Sequence, residues 1–180
     1  MIGSFRISTQ RLLRVVAASL LCLTAAFGQK IQTEFDSSVN FSGFKTFTIA
    51  PGRMHSADPS LNNELTQKKL AADIQQSMEA KGLTMVNPGK ADLRVVYTLG
   101  TPRGVQTEAY PAGWRGWGTR VVKVPYTKGT LVIDLRNTAT HSLAWRSIAR
   151  DDETDASKIE SKLDRMVKKS FDKYPPKVGK

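Results

Sequence analysis

The sequence predicts an α+β domain of two layers, a mostly antiparallel four-stranded sheet with two helices on one face, and three observations lead there. Leu93, Val95, Tyr97 and Leu99 alternate with Asp92, Arg94, Val96 and Thr98, the period of a half-buried strand. Residues 130–136 and 143–150 are two β-rich runs separated by a polar turn, which reads as an antiparallel hairpin. Two stretches carry apolar residues at helical spacing, one in the first half of the chain and one near its end. The order strand, helix, strand, long loop, hairpin, helix then places both helices against one sheet face.

In chain order, residues 1–28 read as an export signal and not as part of the fold. Arg6, Arg11 and Arg14 stand without an acid ahead of an apolar run over residues 15–23, and Ala26 and Gly28 suit the two small-residue subsites of a signal peptidase. That run is shorter than the about 20 residues a membrane helix needs, so cleavage before Gln29 is favoured over an uncleaved anchor. The one cysteine, Cys22, lies inside the run. Ser19-Leu20-Leu21 puts Leu where a lipoprotein signal wants Gly or Ala, so lipid anchoring at Cys22 is disfavoured. Residues 29–180 are then a single exported domain, periplasmic or otherwise in the cell envelope, with no membrane span and no thiol for a disulfide.

Charge limits the partners. Lys and Arg total 27 against 16 Asp and Glu, a formal +11, and removing the three leader arginines leaves +8. A surface of that sign attracts anions, and export removes nucleic acid from the candidates, leaving an anionic envelope polymer, a membrane surface or an envelope protein.

The first strand is predicted at residues 44–50, where apolar and polar positions nearly alternate before Pro51-Gly52 turns the chain. Asp58-Pro59 or Ser60 is the expected cap of the first helix. Leu70, Ala71, Ile74 and Met78 form its buried stripe, Leu61 and Leu65 pack at its entrance, and Gly82 closes it. Residues 100–125 lose all periodicity and read as a long loop or irregular hairpin. Leu131, Ile133 and Leu135 face inward from the hairpin. Ser157 with Glu160 forms a capping box for the last helix, whose buried face runs Ile159, Leu163, Met166, Val167, Ser170, Phe171 and Tyr174 up to Pro175-Pro176.

Catalytic chemistry finds little purchase. Nucleophilic hydrolysis needs a positioned base, and the domain offers only His55 and His141, both read as solvated loop residues. Neither zinc-ligand spacing nor a cofactor motif is present, and Asp151, Asp152, Glu153 and Asp155 lack the glycine turn of a calcium loop while suiting a helix N-terminus. Two surfaces stand out instead. Gly113-Trp114-Arg115-Gly116-Trp117-Gly118, with Arg120 beyond it, offers Trp114, Arg115, Trp117 and Arg120 as a stacking surface for a sugar or partner, or two indoles folded back onto the sheet. Lys158, Lys162, Arg165, Lys169 and Lys173 recur beside the apolar stripe of the last helix, as a basic strip or a solvated face.

Six segments together carry a resemblance. Phe41-Ser42-Gly43-Phe44-Lys45-Thr46-Phe47, Ala80-Lys81-Gly82-Leu83, Ala91-Asp92-Leu93 leading into Val95-Val96-Tyr97, Gly129-Thr130-Leu131-Val132-Ile133-Asp134-Leu135, Leu143-Ala144-Trp145-Arg146 and Phe171-Asp172-Lys173-Tyr174-Pro175-Pro176 resemble the bacterial domain-of-unknown-function 4136 family over nearly all of residues 29–180. The resemblance implies envelope association, often through a lipid anchor for which Cys22 is a poor site, and a glycine- and aromatic-rich stretch like residues 110–118. It implies no activity. The expectation is a non-enzymatic binding or accessory protein of the cell envelope, without cofactor or metal. The alternatives are a structural subunit of an outer-membrane or periplasmic assembly, and an enzyme acting on an envelope polymer through acids that converge only in space.

Overall fold

The computed structural model describes residues 29–56, 58–100, 105–111, 119–125, 129–153 and 155–177, with backbone alone described between 105 and 125. The elements are β1 (Lys30–Phe35), a 3-10 turn (Phe41–Gly43), β2 (Thr46–Ile49), β3 (Arg53–His55), α1 (Glu64–Glu79), β4 (Thr84–Met85), β5 (Leu93–Gly100), β6 (Val105–Pro111), β7 (Thr119–Pro125), β8 (Thr130–Asn137), β9 (Leu143–Arg150), α2 (Ala156–Glu160) and α3 (Leu163–Phe171). Seven strands form one sheet in the order β1-β9-β8-β5-β2-β4, with β3 also on β5; β6 and β7 make a separate antiparallel hairpin.

The α+β class holds, but the expected four-stranded, mostly antiparallel sheet is corrected to a seven-stranded mixed one. The reason is α1. It carries the chain from the end of β2 back to that strand's starting end, so β4 and β5 both run parallel to β2, one on each side. Pro51, which has no N–H to donate, interrupts the line of β2, and β3 resumes it along β5 in parallel register. Strand β1 escaped notice because its inward residues Ile31 and Thr33 are only half-buried at the sheet edge and Phe35 is exposed, so it reads as polar lead-in.

One face carries the helices. Leu93, Val95, Tyr97 and Leu99 of β5, Leu131, Ile133 and Leu135 of β8, and Trp145 and Ala149 of β9 share one core with Leu70, Ile74 and Met78 of α1 and Leu163, Met166, Val167 and Phe171 of α3. Each fully buried large apolar side chain contributes about 1.5–3 kcal/mol relative to exposure. The Tyr97 hydroxyl donates to the Gln67 carbonyl at 2.9 Å, tying β5 to α1. Gly52 lies so close to that ring that a Cβ there would overlap it.

On the other face, the cross-strand partners Asp134 and Arg146 form a buried fork: Nε donates to Oδ1 at 2.7 Å and Nη2 to Oδ2 at 2.6 Å. Their side chains are 4% and 1% exposed.

Helix boundaries differ from expectation. Asn63, not Asp58 or Ser60, caps α1, its Oδ1 accepting the Thr66 amide at 2.8 Å. Asp58 instead anchors a preceding turn, accepting from the Ser60 amide and hydroxyl. Leu61 is fully buried, whereas Leu65 points to solvent at 78% exposure. The final helix is two. Asp155 caps α2 in place of Ser157, accepting from the Lys158 amide at 3.1 Å. The break follows at Ser161 and Lys162: the Ser161 hydroxyl bonds back to the Lys158 carbonyl at 2.8 Å, while the Lys162 ammonium reaches Asp151 at 3.0 Å. The buried face from Ile159 to Tyr174 is as the periodicity predicts.

Candidate functional site

At one end of the sheet, three segments distant in sequence come together. The Asp92 carboxylate starts the construction: its Oδ2 accepts from the Lys45 amide at 2.9 Å, the Thr46 amide at 2.9 Å and the Thr46 hydroxyl at 2.8 Å, joining the entrances of β2 and β5. Those bonds, led by the Lys45 amide, hold the carboxyl below its ordinary pKa. Before it, Asn40 Oδ1 accepts from the Ser42 amide and hydroxyl, fixing the 3-10 turn that presents Phe41 and Phe44.

The second segment is the exit of α1. Gly82 has φ 84, the left-handed conformation glycine adopts without a Cβ penalty. The Leu83 amide reaches the Met78 carbonyl at 3.3 Å and the Gly82 amide the Glu79 carbonyl at 2.9 Å, the paired bonds of a Schellman cap. Leu83 is thereby turned inward and Lys81 left exposed.

The third is the turn that follows α3. Tyr174 is 3% exposed, edge-on to Phe41 at 5.9 Å and to Trp145 at 5.6 Å, and Trp145 stacks on Phe171 at 5.7 Å. Burial pushes the Tyr174 phenol up to about 12.

Between these segments lies a hollow of about 420 Å³, lined among others by Phe41, Phe44, Leu83 and Tyr174, with Lys45 and Lys81 on it and no acidic residue. Beyond Phe44 a second hollow of about 530 Å³ opens, lined by Gly43, Phe44, Gly89–Asp92 and Asn137–Ala139. Among the described residues, Lys45, Lys81 and Lys90 form no ion pair.

Among the described residues, none of those singled out from sequence lines the two hollows. Trp114, Arg115 and Trp117 lie outside the described residues, and Arg120 is described only as a backbone position in β7 opposite Tyr110. The break at Ser161 divides the basic strip. Lys162 sits 3.0 Å from Asp151 and 3.8 Å from Glu153, and Lys158 lies 3.9 Å from Glu153, so two of its five cations face acids. Burial alone would raise Asp151, but the Lys162 ammonium, the Glu153 amide and Gln29 outweigh it and hold its carboxyl low. Arg165 and Lys173 are exposed and Lys169 half-buried.

His55 belongs to β3 instead of a loop, and His141 occupies the β8–β9 turn with φ 57. A third hollow of about 440 Å³ separates α1 from α3; in it burial raises the Asp73 pKa, with Lys69 opposing and Asp164 adding to the rise. Among the described residues no three His, Cys, Asp or Glu converge as a metal site, and no helix is long and apolar enough to cross a membrane.

Phe44, Lys45, Lys81 and Tyr174 stand in the motif segments of the sequence, where no pattern marks them as a site. The available signal was that three of the six motif segments carry a lysine beside an aromatic residue or glycine. The family model for the domain of unknown function DUF4136 matches residues 31–176, the span that contains the whole seven-stranded sheet except Lys30. The chain belongs to the DUF4136 family. A crystal structure of a DUF4136 family protein from Bacteroides thetaiotaomicron superposes with a TM-score of 0.59 at 20% identity, covering 82% of this chain and 96% of that one. A PDZ domain protein from Parabacteroides distasonis gives 0.55 at 18% identity, covering 94% of this chain but 41% of its own. A PelC dodecamer variant from Paraburkholderia phytofirmans gives 0.46 at 10% identity, covering 80% and 95%. No curated protein matches significantly. The first two superpositions establish a shared fold, and in this DUF4136 chain that fold brings three motif segments to the border of one hollow.

Proposed function

We propose that this DUF4136 protein is a non-enzymatic binding or accessory module of the bacterial cell envelope, and that the hollow between Phe41–Lys45, Lys81–Leu83 and Tyr174–Pro176 is where it binds. One observation carries the reading: the hollow combines a rigid aromatic floor with two cations that no carboxylate of the lining neutralises. Pockets of about 300–1,000 Å³ with an apolar floor and a few placed polar groups are the usual form of ligand sites. The ligand sign follows from the lysines and from the chain's formal +11, and the compartment from the leader read in residues 1–28.

The test is co-sedimentation of the purified protein with isolated peptidoglycan and, separately, with anionic lipid vesicles across a salt series, alongside Lys45→Ala/Lys81→Ala and Trp114→Ala/Trp117→Ala. Binding lost in the lysine variant but retained in the tryptophan variant supports the hollow. Loss only in the tryptophan variant moves the site to residues 114–117. Equal salt-sensitive binding in all three proteins reduces the interaction to bulk charge, and absence of binding to either material overturns the reading.

A further inference from the structure

The two hollows on either side of Phe44 are not independent. Phe44 lines both, and Asp92, which lines the second, holds the Lys45 amide of the first at 2.9 Å. The Phe44 ring is half-buried, braced edge-on by Phe41 at 6.1 Å, and forms the divide.

Along the joined track stand Lys81, Lys45 and Lys90, all exposed, against the single carboxylate of Asp92, whose Oδ2 is committed to the β2 entrance. A compact monovalent ion would use one hollow and leave the cations of the other unmatched. A chain bearing anions at intervals would meet cations in both and lay an apolar face over the ring between them, as flat sugar faces do on aromatic side chains.

Resting on the proposed binding role of the first hollow, we infer that the two hollows form a continuous two-subsite track for an extended acidic polysaccharide, with Phe44 as the platform between subsites. Linking two weak sites through one chain converts the second contact into an intramolecular one, so affinity rises steeply once the ligand spans both.

The experiment is calorimetric titration of the protein with a ladder of oligogalacturonates, from monomer to hexamer, at fixed ionic strength, with long-chain polyphosphate and anionic vesicles as separate arms. The expected result is an affinity gain of at least about tenfold at the length that bridges Phe44, with little gain beyond it. Lys90→Ala should weaken the long oligomers by up to about fivefold while leaving the short ones unchanged, and Lys81→Ala should weaken both. Phe44→Leu, which keeps the apolar packing, should remove the length step.

Equal affinity for monomer and hexamer overturns the track and leaves the first hollow standing. Tighter binding of polyphosphate or vesicles than of any oligosaccharide overturns the sugar class. Failure of all three arms, in a protein that still sediments with peptidoglycan through Lys45 and Lys81, overturns this inference alone.

Discussion

Among the described residues, breaking the buried fork between Asp134 and Arg146 should be the most damaging single polar change. Both Asp134 carboxylate oxygens accept from Arg146, at 2.7 and 2.6 Å, and the two side chains are 4% and 1% exposed. Asp134→Ala leaves a guanidinium charge with little water to replace the lost carboxylate, a loss worth about 3–5 kcal/mol. Against a total stability of about 5–15 kcal/mol for a domain of ordinary size, that is a large share.

At about 2–4 °C per kcal/mol for a domain of roughly 150 residues, the melting temperature should fall by about 6–20 °C. A control is built into the molecule. Glu64 and Lys68 approach at a similar 2.7 Å but are 78% and 70% exposed, so Lys68→Ala should leave the unfolding midpoint nearly unchanged. Replacing both buried partners, Asp134→Leu with Arg146→Met, should return stability to within about 1 kcal/mol of the parent, because neither charge remains to be solvated. Urea unfolding of the four proteins measures all of this, with two-state behaviour checked by coincident circular dichroism and fluorescence transitions. Equal losses for Asp134→Ala and Lys68→Ala would refute the burial argument. A double variant as unstable as the single one would show that the fork specifies strand pairing in a way apolar packing does not replace.

Other expected outcomes are smaller in scope. Gly52→Ala forces a methyl group into the ring of Tyr97, itself 2% exposed and bonded to Gln67, and should cost about 1–3 kcal/mol in the same denaturant assay. Because the Asp92 pKa is depressed in the folded protein, its contribution is complete above its unfolded value near 3.8 and disappears as pH falls through the lower folded value; Asp92→Ala should therefore flatten the acid limb of a stability-against-pH curve. Tyr174 has the opposite sign: its phenol is raised to about 12, so its contribution is intact below about 10 and lost as pH rises through 12. Ultraviolet titration should show a phenolate component appearing near pH 12 that Tyr174→Phe removes.

The parts legible in sequence were those where one face of an element meets the core along its whole length. The alternation from Leu93 to Leu99 and the inward triplet Leu131, Ile133 and Leu135 appear in the fold as predicted, since central strands cannot shift by one residue without exposing their apolar set. The stripe Leu70, Ile74 and Met78 is buried for the same reason, and Thr66 continues it one turn earlier, while Leu65 lies off that stripe on the helix's outer side and is solvated. Strand direction was not legible, because alternation is identical in parallel and antiparallel pairs; the crossover through α1 decides it. The break at Ser161 depends on a hydroxyl and an ammonium reaching partners up to eleven residues away, beyond any helical periodicity. The candidate site was legible only in pieces. Lys45, Lys81 and Lys90 are isolated surface lysines until Asp92, Gly82 and Tyr174 bring their segments to one end of the sheet.

The pairing of β1 with β9 has a kinetic consequence. Lys30 meets Arg150 and Phe35 meets Trp145 across more than a hundred intervening residues, so the first strand of the sheet acquires its neighbour only when nearly the whole domain is available. A chain emerging from its N-terminus therefore holds β1 as an unmatched edge until β9 arrives, and contacts of such long sequence separation slow folding. Assembly is deferred to the end of chain emergence.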